Sequence, residues 1–384
     1  MPDPYVGREQ TKAKHFILRR YLQALAFKVL HFSDITYVDG FSGPWETQTE
    51  DFIDSSFMIA IDVLRDAQQC VQQQTGKRPK VRCFLVENNP KAYAQLSSAV
   101  ASFNKPQDDF EIRTHCGDFE DTISAIYHFI GRSFPLIFID PTGWTGYAFD
   151  KIRPLFDRSK CEVVINFMYD FVNRAASMRD PKTVASLDPI LGGPGWEPRL
   201  DPNLPRGLAV EKLFRDTLRD AGGFGYVVST KIDRSTADRP HFFIIYGTKS
   251  KDGLKAFRET EYSALRAHAR ERADAKERKR EAKTGSLDLF AGMDADHQEL
   301  SFEELIEEQK AKASEELLAE LQKSGTMKFS RVWALLLVPY MLRVTDLKDI
   351  CVKLAKDGSI RNSWGGGSRK PQDDDLIELI RSTP

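Results

Sequence analysis

Four acidic side chains each follow an apolar stretch of the chain, a position where a carboxylate can contact a ligand. They are Asp39, Glu87, Asp118 and Asp140. Asp39, Asp118 and Asp140 lie beside a glycine or a proline, residue types that turn the backbone sharply. Carboxylates accept hydrogen bonds from hydroxyl and amino groups. Four acids in this order, each after an apolar stretch, indicate a ligand-binding site more specifically than any one of them does alone.

Each of these acids has a chemical interpretation, and some have a structural alternative. Glu87 can accept hydrogen bonds from a ribose diol, as an acid at the end of a second strand does in nucleoside-binding α/β folds. Asp118 can contact an exocyclic amine or cap the following helix. In the segment Asp140 to Trp144, Pro141 stiffens the turn and Trp144 offers a flat face for stacking. These residues therefore predict a nucleoside-like ligand.

The segment Asp39-Gly40-Phe41-Ser42-Gly43 contains two glycines directly after the first apolar stretch. Glycine lets the backbone turn sharply and approach a ligand closely. The same glycines also serve a strand-to-helix turn that binds nothing. Both interpretations stay open from the sequence.

The elements that must position these residues alternate between strands and helices over the first 250 residues. Short apolar segments predict strands, and helical spacing of apolar residues predicts the helices between them. We predict strands at 35–38, 81–86, 110–115, 135–139 and 162–167, with a closing pair at 225–231 and 242–246. Nearly continuous apolar strands separated by helices indicate an α/β fold with a mostly parallel sheet covered on both faces. Ligands bind such sheets outside the carboxyl ends of the strands.

The order of these features resembles the class I S-adenosylmethionine-dependent methyltransferase core, a Rossmann-like fold. Four sequence blocks look like those of the three-Cys-motif partner protein (TcmP) family. The blocks are TKAKHFILRRYL (11–22), YVDGFSGPWE (37–46), FLVENNP (84–90) and FIDPTGW (138–144). That family is bacterial and phage-associated, and its members are commonly encoded beside a three-cysteine protein that resembles radical SAM enzymes. The resemblance covers about the first 250 residues.

The resemblance implies S-adenosylmethionine as the cofactor and assigns roles to the strand-end residues. Asp39, Gly40 and Gly43 would border its methionine part, Glu87 would hold its ribose and Asp118 its adenine. Asp140 would face the transferred methyl group as the catalytic residue. Pro141, Trp144 and His15 are candidates to contact the substrate. His15 lies in the first family-like block, although an isolated histidine on a helix more often lies on its surface.

The sequence also departs from the pattern of an active methyltransferase. Pro44-Trp45 stands near the usual third glycine, and Thr142-Gly143 replaces a proline and an aromatic residue. Two functions therefore stay open. One is a methyltransferase acting on nucleic acid or a modified nucleotide together with the three-cysteine protein. The other is an inactive methyltransferase-like partner that presents nucleic acid or protein substrate to that protein.

Composition limits the classes of partner and the compartment. The 384 residues carry 55 basic and 56 acidic side chains, which excludes binding to nucleic acid or membrane through global charge. The five cysteines are widely spaced, and the sequence predicts no membrane span and no secretory signal. We therefore expect a cytoplasmic protein with no metal site of the Cys or His type.

Charge is uneven along the chain and predicts three parts. Residues 249–283 carry a balance of +5 and residues 284–323 a balance of −8. We predict a methyltransferase-like domain at 1–250, a charged helical linker at 251–325 and a small winged-helix-like domain at 326–384. That last domain is a candidate for DNA or RNA binding. The segment 286–290 (SLDLF) resembles a sliding-clamp docking motif, or docks on the first domain of its own chain.

Overall fold

The computed structural model of the chain describes residues 5–43, 47, 52–178, 180–234, 237–284, 293–365 and 369–380. They belong to two compact units, Met1–Ser250 and Lys251–Pro384. Of the helices in the described residues, none is long and apolar enough to cross a bilayer.

The described strands of the first unit form one sheet. They are β1 Ile35–Asp39, β2 Val81–Glu87, β3 Phe110–Cys116, β4 Phe134–Ile139, β5 Glu162–Phe167, β6 Tyr226–Arg234 and β7 Ala237–Thr248. Their order in the described sheet is β3-β2-β1-β4-β5-β7-β6, and β1 to β5 pair in parallel. Among the described strands, β7 runs antiparallel to both of its neighbours, β5 and β6. This is the Rossmann-like, class I methyltransferase fold, and the predicted mostly parallel sheet with its closing pair is confirmed.

Helices cover both faces of this sheet. They are α1 Glu9–Val29, α2 Ser56–Thr75, α3 Pro90–Val100, α4 Ile123–Ile130, α5 Phe149–Phe156, α6 Tyr169–Ser177, α7 Pro181–Ala185, α8 Asp188–Leu191 and α9 Arg206–Gly222. Strand side chains such as Ile137 and Ile165 pack with α4, α5 and α9 in one buried cluster. Because strand side chains alternate between faces, Asp39 and Glu162 point to the other side, where they contact α2 and α1.

Two helix boundaries follow from local sequence. Ser55 precedes α2, and its hydroxyl accepts a hydrogen bond from the backbone N–H of Met58. Asn89 caps α3 in the same way, with Pro90 in the first turn. Helix α3 begins directly after the short turn that follows Glu87, whereas residues 40–55 separate β1 from α2.

The second unit contains two long helices followed by a small sheet with two short helices. Its elements are α10 Lys251–Thr284, α11 Met293–Ser324, β8 Thr326–Lys328, α12 Phe329–Leu336, α13 Val344–Lys356, β9 Ile360–Arg361 and β10 Leu376–Leu379. In the described residues the strand order is β8-β10-β9, with both pairs antiparallel. Residues 251–284 and 293–324 thus form two helices of this unit. The segment 286–290 lies outside the described residues.

Candidate functional site

The carboxyl ends of β1 to β4 border a cleft of about 260 Å³, which we call the strand-end cleft. Chain order reverses between the neighbouring strands β1 and β4, the position at which open α/β sheets bind ligands. Its lining includes Gly40, Glu87, Gly117, Asp118, Pro141 and Gly143. The structure therefore brings four of the nine predicted site residues to one cleft: Gly40, Glu87, Asp118 and Pro141.

Glu87 and Asp118 border this cleft from neighbouring strands. Glu87 is 2% exposed, its Oε1 accepts from the backbone N–H of Asn89 at 2.6 Å, and burial raises the pKa of its carboxyl group. Asp118 is exposed and accepts from the Asn88 side-chain amide at 3.0 Å. Asp118 precedes a helical turn but makes no capping bond with its side chain. Two acids at adjacent strand ends can accept hydrogen bonds from a nucleoside's hydroxyl and amino groups. Sequence reasoning missed Asn88.

Glycines let the backbone approach closely at the β1 end of the cleft. A Cβ on Gly40 would lie 2.9 Å from the ring of Phe119, so only glycine fits there without displacement. Gly146 has φ +88°, a conformation that favours glycine, and faces the Phe41 ring. Gly43 is buried but does not border the cleft. The residues after it, Pro44 and Trp45, lie outside the described residues.

Asp39 is fully buried beneath the cleft. Its carboxylate accepts from the Ser56 hydroxyl at 2.8 Å, the Phe41 backbone N–H at 3.1 Å and the Tyr37 hydroxyl at 3.2 Å. Burial raises the pKa of Asp39 to about 6, with the nearby Asp140 adding to the rise and the hydrogen bonds opposing it. Asp39 thus holds the β1 turn and carries a carboxyl group that changes charge close to neutral pH.

Asp140 is held on both carboxylate oxygens. Lys14 on α1 lies 2.5 Å from Oδ2, and the side-chain amide of Asn166 on β5 donates to Oδ1 at 2.6 Å. Asp140 is 15% exposed and Lys14 is 13% exposed in their side chains. The sequence places Lys14 in the first family-like block and Asn166 in the fifth strand. Neither position indicates that the residue contacts Asp140.

Trp144 and His15 lie apart from the strand-end cleft. Trp144 borders a second cavity of about 860 Å³, and its indole N–H donates to the Ser186 hydroxyl at 2.9 Å. Thr145 and Gly146 border both cavities, so the two adjoin. His15 is buried and pairs with the Tyr5 hydroxyl at 3.0 Å. Burial, followed by the charge of Lys14, lowers the pKa of His15. The lysine beside His15, not His15 itself, reaches Asp140.

The second unit offers mixed charge on its small sheet and on α13. Lys353 and Lys356 are exposed on α13. Lys370 pairs with Asp349 at 2.5 Å, and Arg361 pairs with Glu378 at 3.4 Å. Acids therefore neutralise part of this basic surface.

Among the described residues, no group of three His, Cys, Asp or Glu side chains is placed to hold a metal ion. The described residues that could contact a cofactor are those of the strand-end cleft.

Comparisons with known proteins add little to this geometry. No protein-family model matches the chain, and no curated protein matches it. Among solved structures, the chain is similar to an O-methyltransferase from Bacillus cereus in complex with SAH. The identity is 16% and the TM-score 0.32, over 60% of this chain and 80% of that one. A likeness at this level identifies no site residue, and the fold assignment rests on the strand order of the sheet.

Proposed function

We propose that the chain binds S-adenosylmethionine in the strand-end cleft and transfers its methyl group to nucleic acid or a modified nucleotide. The observation that carries the proposal is the pair of acids, Glu87 and Asp118, on one cleft at the switch point of a β3-β2-β1-β4-β5-β7-β6 sheet. When bound, the cofactor supplies a methyl group on a sulfonium sulfur, which a nucleophile can attack.

The chain's own residues fit the parts of this cofactor. Glu87 accepts from the ribose diol, and Asp118 accepts from the adenine amine. Gly40 lets the backbone border the methionine part, and the Asp39 carboxylate below it favours a cationic centre. The cleft is close to the lower end, about 300 Å³, of usual ligand pockets. Methyl transfer then depends mainly on holding donor and acceptor in line. Asp140 directly precedes Pro141, which lines the cleft.

The same proposal includes the partners that the family resemblance implies. A three-cysteine, radical-SAM-like protein acts with this chain, and the order β8-α12-α13-β9-β10 supports a winged helix that positions DNA or RNA. Docking of 286–290 on a sliding clamp rests on its sequence alone.

One observation favours an inactive binding partner instead. Lys14 and Asn166 already occupy both oxygens of Asp140, so this carboxylate is not a free proton acceptor. In this second function, the cleft binds the cofactor or a nucleotide but the chain presents a substrate to its partner protein.

Calorimetric titration with S-adenosylmethionine tests the binding step. We expect the wild type to bind and Glu87→Ala to lose about tenfold or more in affinity, because a buried acceptor for the ribose is removed. Asp66→Asn, an exposed acid on α2, is the matched control and should bind like the wild type. No binding heat from the wild type would refute the cofactor proposal.

Transfer of a labelled methyl group to DNA, RNA or protein separates the enzyme from the binding partner. The enzyme proposal expects label that Asp140→Ala abolishes. Cofactor binding without label on any of the three polymers supports the inactive partner.

A further inference from the structure

The side-chain amide of Asn166 is buried with its oxygen unused. Asn166 is 3% exposed, and its Nδ2 donates to Asp140 Oδ1 at 2.6 Å and to Met168 Sδ at 3.4 Å. Its Oδ1 accepts no hydrogen bond from any residue that the structure describes. Buried polar groups are paired in the large majority of cases, so an unpaired one calls for an explanation.

The orientation of this amide follows from its neighbour. A carboxylate accepts hydrogen bonds and cannot donate when ionised, so the nitrogen of Asn166 must face Asp140. Rotating the amide by half a turn would set its oxygen against the carboxylate. The unpaired atom is therefore the oxygen, a hydrogen-bond acceptor.

This oxygen lies near the strand-end cleft, because its neighbour Asp140 directly precedes Pro141, which lines that cleft. Ile139 on β4 pairs with Ile165 on β5, so Asp140 and Asn166 lie side by side at the carboxyl edge of the sheet. Lys14 completes the group from α1. Asp140 and Lys14 are its partly exposed members, with 15% and 13% of their side chains exposed.

We propose that Asn166 Oδ1 accepts a hydrogen bond from the N–H of the methyl acceptor, and that the acceptor is an amine. The inference rests on the proposed binding of S-adenosylmethionine and specifies the substrate class of the same site. Exocyclic amino groups of nucleobases belong to this class.

The chemistry of the Lys14, Asp140 and Asn166 group favours an amine over a hydroxyl. An amide oxygen accepts a hydrogen bond but does not take up a proton, and both oxygens of Asp140 are engaged. A hydroxyl needs a base to remove its proton, whereas a neutral amine already has a nucleophilic lone pair. The nitrogen lone pair forms the N–C bond as the C–S bond breaks, and that bond's electrons stay on sulfur. The surplus proton on nitrogen then leaves to water.

Two cofactor analogues test the inference without knowledge of the substrate. S-adenosylhomocysteine lacks the methyl group, and sinefungin carries a primary amine in the region of that group. We expect the wild type to bind sinefungin about tenfold more tightly than S-adenosylhomocysteine, as a hydrogen bond to a charged group predicts.

Asn166→Leu keeps the size of the side chain and removes the acceptor, so the tenfold preference should fall to about one. Its affinity for S-adenosylhomocysteine should stay within about twofold of the wild type. Asn166→Ala also lacks the acceptor and is smaller, so it too should bring the preference to about one. If Asn166→Leu does not fold, the Ala variant alone decides.

The outcomes separate the inference from the function beneath it. Binding of S-adenosylhomocysteine with the same analogue preference in the wild type and both variants would overturn the role of Asn166 and leave the cofactor site intact. Failure of the wild type to bind either analogue would overturn the proposed function, and the inference with it.

Discussion

The sheet of the first unit holds two acidic clusters at opposite ends of its strands, one buried and one partly exposed. At the amino end of β5, Glu162 accepts from the Tyr21 hydroxyl at 2.5 Å and from the Thr248 hydroxyl at 3.0 Å. The Tyr246 hydroxyl pairs with that of Tyr21 at 2.5 Å. At the carboxyl end, Lys14 and Asn166 hold Asp140, and the oxygen of Asn166 has no described partner.

The difference separates a network that supports the fold from one suited to a ligand. The Glu162 cluster joins α1 to β5 and β7 and pairs both of its carboxylate oxygens within the protein. A fully paired buried network stabilises a unique packing. The Asp140 cluster lies beside a cleft and includes an unpaired acceptor, an arrangement that a bound substrate can complete. Buried polar groups that lack a hydrogen-bond partner occur most often at functional sites.

Replacing Glu162 should have the largest effect on stability. Glu162→Ala leaves the hydroxyls of Tyr21 and Thr248 without their acceptor and opens a cavity, so we expect a loss of about 4 kcal/mol in the free energy of unfolding. Urea unfolding measures it. The matched control is Glu87→Ala, a buried glutamate at the ligand end, which should lose about 1 kcal/mol or less in unfolding free energy and about tenfold or more in cofactor affinity. Equal destabilisation of the two variants would contradict the comparison.

Asp39 should make the free energy of unfolding depend on pH, with a change slightly smaller than the loss expected for Glu162→Ala. Its folded-state pKa is about 6 against an ordinary value of 3.8. Between these values the folded state holds a proton that the unfolded state has lost, so stability falls as pH rises from about 4 to 6. Two units correspond to about 3 kcal/mol.

The pH effect can be isolated by comparing the wild type with Asp39→Asn. Glu87 and Glu162 have pKa values raised by burial too, and they contribute in the same direction in both proteins. The difference in unfolding free energy between the two proteins should therefore change across pH 4 to 6 by the contribution of Asp39. A constant difference would contradict the assignment.

The strand ends could be predicted from the sequence because each apolar strand stops at a polar residue. That pattern locates Asp39, Glu87, Asp118 and Asp140 at one edge, since parallel strands end together. Tertiary pairing could not be predicted: Lys14 and Asp140 are 126 positions apart, and nothing local links them.

Local irregularity limited the prediction near β4. Pro154 inside α5 obscures that helix in the sequence, because proline is unfavourable in a helix interior. The positive φ of Gly146 belongs to the turn just after Trp144, and the bond of Trp144 to Ser186 holds its ring at the larger cavity. A stacking residue predicted for one cleft therefore borders the adjoining one.

Gly40 tests whether close backbone approach at the carboxyl end depends on glycine. In Gly40→Ala, the new Cβ lies 2.9 to 3.1 Å from ring atoms of the buried Phe119, so we expect a loss of about 2 kcal/mol. Cofactor affinity should fall as well, because Phe119 also lines the cleft. The control is Gly143→Ala in the same cleft, where a Cβ meets nothing within 4 Å. Its stability should match the wild type within about 0.5 kcal/mol.

Lys14 should show the smallest effect on stability and a distinct effect on binding. Its ion pair with Asp140 is partly exposed, so Lys14→Met should cost about 1 kcal/mol in unfolding free energy. The exposed pair of Arg78 with Asp108 is the control, and Arg78→Met should cause no measurable change.

Removing the Lys14 cation leaves the Asp140 carboxylate without its counterion beside the proposed sulfonium position. The preference for cationic S-adenosylmethionine over neutral S-adenosylhomocysteine should therefore rise several-fold in Lys14→Met, and calorimetry of both ligands measures this ratio. A stability loss as large as that of Glu162→Ala, with an unchanged ratio, would place the Asp140 cluster with the structural network. A small stability loss with a raised ratio would keep the two ends of the sheet distinct. The ion pair of Lys14 with Asp140 would then contribute little to folding but control the charge beside the bound ligand.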